Sequence, residues 1–219
     1  NKVEQKLLSK LSGTFCSVVF SPSQLNLVDD GPEGRRKLID SAICQIKPGY
    51  RSYLLEYNRI LMQRNTVLRD MEYHPDLSDM LEMWDERLAA SAVRILKYRR
   101  RYVELLSPYT EETFEGISGG KEKIKLKYTE EIAEKNDFLK RLDMTRAGDI
   151  CRGTTSVGPH RDDLEILING NLARRYGSQG QKRSAVLALK LAEASILQQS
   201  TGEQPVILLD DIMSELDTS

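Results

Sequence analysis

In the middle of the chain, Leu77, Leu81, Trp84, Leu88, Ser91, Ile95, Tyr98, Tyr102 and Leu105 alternate by four and three. That spacing lasts about four heptads and predicts a long helix with one apolar seam, which must be buried against a partner. The partner lies just upstream. Tyr50, Tyr53, Leu54, Tyr57, Ile60, Leu61, Val67, Leu68 and Met71 form a second stripe at three- and four-residue spacing. Only a few residues around His74-Pro75 link the two helices, so an antiparallel hairpin is expected. Ser91 interrupts the seam, which favours two helices of a bundle over a long free coiled coil.

The flanking segments read as an α/β fold. Thr14 to Phe20 is a compact apolar run ahead of Ser21-Pro22, expected as a strand. A helix follows from about Arg35 to Ile46 and is broken by Pro48-Gly49. After Ser118-Gly-Gly120, the lysines Lys121, Lys123, Lys125 and Lys127 alternate with Ile124, Leu126 and Tyr128, the period of an exposed strand. Those lysines read as edge protection or as a phosphate-facing row. A charged helix is expected over Thr129 to Arg146, with residues 147–153 leading onward. Asp162 to Ile168 and Asn171 to Tyr176 flank Asn169-Gly170, a strong hairpin signal. The expected fold class is α/β with a mostly helical insertion: 1–30 and 151–219 form one lobe, and 31–150 form an antiparallel helical arm.

Composition narrows the partners. The 32 basic and 33 acidic residues leave a formal net charge of −1, so nucleic-acid contact would need a local patch. No apolar run reaches the length of a membrane span, and no signal segment opens the sequence; a cytoplasmic location and no membrane partner are expected. Cys16, Cys44 and Cys151 are scattered without a C-x-x-C pair and read as reduced, structural thiols. His74 and His160 have no metal-ligand spacing around them, so no zinc is expected.

Two C-terminal segments carry chemistry. Pro205-Val-Ile-Leu-Leu-Asp-Asp211 reads as a strand buried on both faces in a parallel sheet, with Asp210 and Asp211 at the carboxyl end where such sheets place ligands. Paired carboxylates there suit a Mg²⁺ ion and an activated water; a strand end followed by a polar turn is the plainer alternative. Tyr176-Gly-Ser-Gln-Gly-Gln-Lys-Arg183 opens an Ala- and Leu-rich helix running to about Gln199. Its start offers free N–H groups beside the positive end of the helix dipole. Ser178 is also an ordinary N-cap, and the two roles are compatible.

Together these segments resemble the RecF family, related to the SMC and Rad50 group of ABC-type ATPases. Ser178-Gln-Gly-Gln-Lys-Arg183 resembles the signature loop of that group, and Leu208 to Asp217 its Walker B strand and D-loop. Further RecF-like blocks are Phe20-Ser-Pro-Ser23, Gly31-Pro-Glu-Gly-Arg-Arg36, Gln63-Arg-Asn65 and Gly158-Pro-His-Arg-Asp-Asp163. The resemblance implies part of an ABC-type head plus a short arm. It implies that Asp210 holds Mg²⁺ and that Asp211 is the catalytic base where most ABC proteins carry Glu. It also implies that Ser178, Gly180 and Gln181 bind ATP held by another subunit, and that Asp217 lies at the dimer interface. Gln179 replaces the first signature glycine, as in RecF. The shorter side chain at Asp211 sets its oxygen about one methylene back, so slow hydrolysis is expected. The implied function is recombinational repair of single-strand gaps, DNA replication and the SOS response, through ATP-driven homodimerisation, binding to gapped or junction DNA, RecR and RecO as partners, and RecA loading.

Arg94, Lys97, Arg99, Arg100 and Arg101 interleave with Tyr98 and Tyr102 and read either as a DNA-phosphate contact or as a solvated helix face. His160 and Arg161 read as a nucleotide or partner contact, or Arg161 as an ion pair with Asp162 and Asp163. A transporter-type ATPase subunit and a non-enzymatic helical adaptor are the rival readings; Asp211 and the Tyr-rich hairpin argue against the first.

No G-x-x-x-x-G-K-[ST] phosphate loop occurs in these residues, and the family places one upstream, so the chain is expected to be a piece of a longer protein. A weak ATPase is expected of the longer protein and none of these residues alone. Phosphate release from ATP by this stretch is therefore expected to match a buffer blank in a coupled phosphate assay. Turnover abolished by Asp211→Asn would contradict it.

Overall fold

A computed structural model describes residues 16–71, 73–130 and 132–210. It is mostly helical with a few short strands and divides into two compact units. The first gathers the described residues up to Pro48, then Arg101–Thr129, then those from Asp163 onward; the second is Gly49–Arg100 with Glu130–Asp162. These units divide the chain differently from the expected segments, since residues 31–48 and 101–129 cluster with the strands.

In the first unit, β1 (Ser17–Phe20) and β5 (Val206–Leu209) pair in parallel, Ser17 opposite Val206 and Phe20 opposite Leu209. Alternation along β1 puts Val18 and Phe20 against Leu197 of helix α7 (Gln179–Thr201), with Ile46, Leu187, Leu191 and Ala194 around them. The parallel pairing matches the apolar run, but burial on both faces does not: Val206 to Leu209 are 42–59% exposed. An apolar strand becomes a core strand only when layers cover both faces, and among the described residues β1 is its sole sheet neighbour. A short helix α1 (Pro22–Leu25), a 3-10 turn (Asn26–Val28) and helix α2 (Pro32–Ile46) follow β1.

The second sheet is antiparallel, ordered β2 (Ile124–Tyr128), β3 (Leu164–Ile168), β4 (Asn171–Leu172). Asn169 at φ 51° and Gly170 at φ 80° give the two left-handed residues that a tight hairpin requires. β4 stops after two residues, shorter than expected, because Ala173 turns into the core at 1% exposure and Ala173–Tyr176 form a helical turn, α6. On edge strand β2, Ile124 and Leu126 are buried while Lys125 and Lys127 are exposed, Lys127 facing Glu165 at 3.6 Å. That arrangement fits edge protection.

Arg35 of α2, 3% exposed, ties this unit together. Its Nε and Nη2 donate to the two oxygens of Asp163 at 2.7 and 2.9 Å, and its Nη1 donates to the carbonyls of Leu27, Val28 and Asp30. One guanidinium thus closes the turn after α1 and fixes the chain entering β3.

The second unit contains the hairpin. Helices α3 (Tyr50–Asp70) and α4 (Ser78–Ser118) run antiparallel, with the Tyr50 ring on Tyr98 at one end and Val67 and Leu68 on Leu81 at the other. Helix α4 is longer than expected, 41 residues, and passes through Pro108. The four-three seam does not hold to its end: Leu105 is 46% exposed and Leu106 fully buried. A straight helix of 3.6 residues per turn drifts off a 3.5-residue repeat, which is the reason. Helix α5 (Lys135–Arg152) starts later than expected and runs through residues 147–152. It ends at Gly153, φ 62°, where a Cβ would meet Arg69 Cγ at 2.6 Å.

Arg64 is the centre of this unit and has no exposed surface. It donates to Asp85 of α4 at 2.5 Å, and to Asp149 of α5 and Thr155 at 3.1 and 2.8 Å. Asp149 also accepts from the backbone and hydroxyl of Ser156, while Asn65 accepts from the backbone and hydroxyl of Thr155. Cys16 and Cys44 are half-buried, and Cys151 is exposed rather than a core thiol. No described helix is long and apolar enough to cross a membrane.

Removing one partner of a buried ion pair leaves the other charge uncompensated. Arg64→Ala is therefore expected to destabilise the second unit by about 3–5 kcal/mol, measured by urea unfolding. A loss below about 1 kcal/mol, the range of exposed pairs, would contradict the role assigned to Arg64.

Candidate nucleotide-binding site

The turn between α6 and α7 is built around two residues. A Cβ at Gly177 would lie 2.7 Å from the Ala173 carbonyl oxygen, so only glycine lets the chain pass this close to α6. Ser178 then caps α7: its side chain accepts from the Gln181 N–H at 3.2 Å, and the Gln181 side-chain oxygen accepts from the Ser178 N–H at 2.8 Å. This reciprocal box fixes the first turn. The Gln181 amide nitrogen also donates to Glu122. Gln181, expected to bind nucleotide, is thus occupied in holding the loop.

Ser178, Gln179 and Gly180 are exposed. Around Gly180 there is open space, a Cβ there meeting only Ser178 Oγ at 3.9 Å. The Gln179 and Gly180 N–H groups belong to the first turn, whose donors a helix cannot pair internally. Behind them α7 is packed along its length, with Ala185, Val186, Ala188, Leu189, Ala192, Ile196 and Leu197 buried. Lys182 is held to Asp29 at 2.6 Å. The loop is therefore a fixed, solvent-facing ring of donors at the positive end of a helix, with room for an anion.

Asp210 follows β5; its N–H donates to the Phe20 carbonyl at 2.9 Å and its side chain is exposed. No group of three or more metal-ligating side chains occurs among the described residues. A lone exposed carboxylate fits Mg²⁺, which keeps several waters and takes one or two carboxylates plus phosphate oxygens. Asp211 and Asp217 lie outside the described residues.

No family model matches the chain. Individual curated proteins do. The DNA replication and repair protein RecF of Acetivibrio thermocellus is 38% identical over 226 residues, and that of Agathobacter rectalis 42% identical over 220 residues. Each alignment covers 99% of this chain and 61% or 60% of the relative. Over 99% of its own length the chain is similar to RecF proteins. Two solved structures of the recombination mediator protein RecF in the RecFOR pathway share its fold. The one described as RecF-ATPrS has a TM-score of 0.90 at 41% identity, covering 97% of this chain and 59% of that one. The one described as RecF-ATP has a TM-score of 0.89 at 40% identity, covering 99% and 60%. The chain thus spans about three fifths of the length of the RecF proteins it matches.

Several RecF-like blocks outside the signature prove to be structural. Arg35, from Gly31-Pro-Glu-Gly-Arg-Arg36, meets Asp163, from Gly158-Pro-His-Arg-Asp-Asp163; Arg64, from Gln63-Arg-Asn65, is the buried arginine of the second unit. Gly158 has φ 128°, and a Cβ there would meet Tyr57 Oη at 2.7 Å and Phe138 at 3.1 Å. His160 is clamped on both nitrogens: Nε2 lies 3.0 Å from the Thr155 carbonyl, which can only accept, and Nδ1 lies 2.6 Å from Tyr57 Oη. Burial, and then the Asp162 carboxylate, push the Tyr57 hydroxyl above its ordinary range, so it stays protonated as the donor. Asp162 pairs with Arg99 at 3.5 Å and Asp163 with Arg35, so neither acid is the main partner of Arg161, which is exposed.

The basic run on α4 does not act as one surface. The Arg99 side chain is 5% exposed and donates to the Pro159 carbonyl at 2.5 Å, which removes it from any DNA contact. Arg100 is half-buried and donates to the Ile132 carbonyl at 2.7 Å. Arg94 lies over the Tyr53 ring at 4.7 Å and 3.7 Å from Glu56. Lys97 and Arg101 are exposed. A helix turns 100° per residue, so cations at 94, 97, 99, 100 and 101 cannot all share one face.

Because Ser178 is both cap and candidate ligand, its structural share is measurable. Ser178→Ala is expected to cost about 1 kcal/mol and Ser178→Gly a few tenths, read from urea midpoints. Equal midpoints for Ser178→Ala and the unaltered chain would contradict the capping role.

Proposed function

We propose that this chain is the signature-bearing part of a RecF-type ATP-dependent DNA-binding protein acting in the recombinational repair of single-strand gaps. The observation that carries the reading is the capped, exposed Ser178 loop at the start of a buried helix, within a chain about 40% identical to RecF proteins solved as RecF-ATP and RecF-ATPrS. The loop alone binds an anion weakly. Its fixed donors contribute when a second subunit brings a triphosphate onto them, which couples ATP to dimerisation. Asp210 would hold Mg²⁺, Asp211 would act as base and Asp217 would line the dimer interface. Bound ATP and Mg²⁺ supply the phosphate and charge that these residues recognise. Lys97 and Arg101 are the exposed cations proposed to meet DNA phosphate. RecR and RecO as partners, RecA loading and SOS induction are the RecF-type steps assigned on the same family grounds.

The test uses a RecF-length protein carrying these residues, in gel filtration with light scattering, with Mg²⁺ and no nucleotide, ADP or ATP. An ATP-specific dimer lost in Ser178→Arg is expected, because the long side chain fills the open space at Gly180 and the Ser178 cap is lost. A nucleotide-independent monomer for both proteins would overturn the clamp and favour a helical adaptor.

A further inference from the structure

Beyond the nucleotide loop, the second unit holds a groove of about 420 Å³ between α3 and α4, lined by Glu56, Arg59, Ile60, Trp84, Arg87, Ala90, Ser91 and Arg94. Its existence traces to small residues. Ala90 and Ser91 stand where α4 faces α3, and Ser91 occupies a seam position that a core-sized side chain would otherwise fill. Ser91 is 4% exposed and its Oγ has no hydrogen-bond partner. A buried hydroxyl left unpaired is unfavourable, so this position is poorly optimised for packing two helices alone.

The rim is cationic. Arg87 lies over the Trp84 ring at 5.1 Å and Arg94 over Tyr53 at 4.7 Å, so aromatic faces attract both guanidiniums. Arg94 shares Glu56 at 3.7 Å, while Arg59 makes no ion pair among the described residues. A flat guanidinium presents its N–H edge as a fork matched to a carboxylate. Glu56 itself lines the groove, so one carboxylate is already in place there. A continuous phosphate backbone laid in the groove would meet this acid, and the aromatic faces that stack bases carry arginines here. A short ligand that sets its carboxylates on Arg59 and Arg87 and turns an apolar side chain to the groove floor avoids both penalties.

We propose that the α3–α4 groove receives a short acidic segment of a partner protein, its carboxylates on Arg59 and Arg87 and an apolar side chain over Ala90 and Ser91 beside Trp84. Charge complementarity selects the acidic chain, and the small floor selects a side chain of modest size.

The experiment is fluorescence anisotropy with the full chain and a fluorescein-labelled peptide of repeated Glu-Asp-Leu. The controls are its Gln-Asn-Leu counterpart and labelled oligo(dT). Saturable binding of the acidic peptide alone is expected, weakened about tenfold or more by Arg59→Glu or Arg87→Glu. Ser91→Leu should block the peptide while leaving the thermal midpoint equal or higher, since it fills the floor with a seam residue. That separates loss of the site from loss of the fold. Equal binding of the amide peptide, or unchanged binding by Ser91→Leu, overturns the proposal. Oligo(dT) binding lost with the same arginines, without peptide binding, overturns it in favour of a nucleic-acid surface.

Discussion

Arg64 has no contact with water, and its charge is balanced by carboxylates that reach it from two other helices. A buried guanidinium is tolerable only when its charge is paired; here Nε and Nη1 donate to Asp85, Asp149 and Thr155, while Nη2 has no hydrogen-bond partner among the described residues. Those partners fix the register of α3 against α4 and α5, and Thr155 carries the constraint into the loop after α5. That loop ends at His160 and Asp162, each held in turn by Tyr57 or Arg99. The apolar seam brings the helices together, and the polar network decides which residues stand opposite one another.

Arg35 acts likewise in the first unit, through a two-pronged contact with Asp163 and three backbone carbonyls. The antiparallel sheet therefore begins from a fixed point, and its hairpin leads directly through α6 and Gly177 to Ser178. The exposed loop owes its rigidity to this chain of supports: the capping box, the Gln181 contact with Glu122, and the Lys182 contact with Asp29. A donor ring held in this way loses little freedom when an anion arrives.

The parallel pair β1 and β5 raises a different physical point. Four consecutive apolar residues leave β5 half exposed on its own chain. A strand of this kind gains stability from whatever layer covers it, and Asp210 at its end inherits its position from that pairing.

Local patterns were enough to read the Ser178 cap, the Asn169-Gly170 turn, the parallel strand before Asp210, and the antiparallel pairing of α3 and α4, because each depends on neighbours within a few residues or on a helical period. The resemblance to RecF was likewise legible in linear blocks. Partners far apart in sequence were not. Nothing local distinguishes Arg99, buried against Pro159, from exposed Lys97, or marks Arg35 and Arg64 as interior cations. Nor does a four-three repeat reveal where the seam drifts to bury Leu106 in place of Leu105. Sequence by itself determined the elements, the cap and the carboxylate at the strand end. Tertiary structure alone decided which cations face water, since burial of a charge depends on carboxylates and carbonyls that only folding brings within hydrogen-bonding distance.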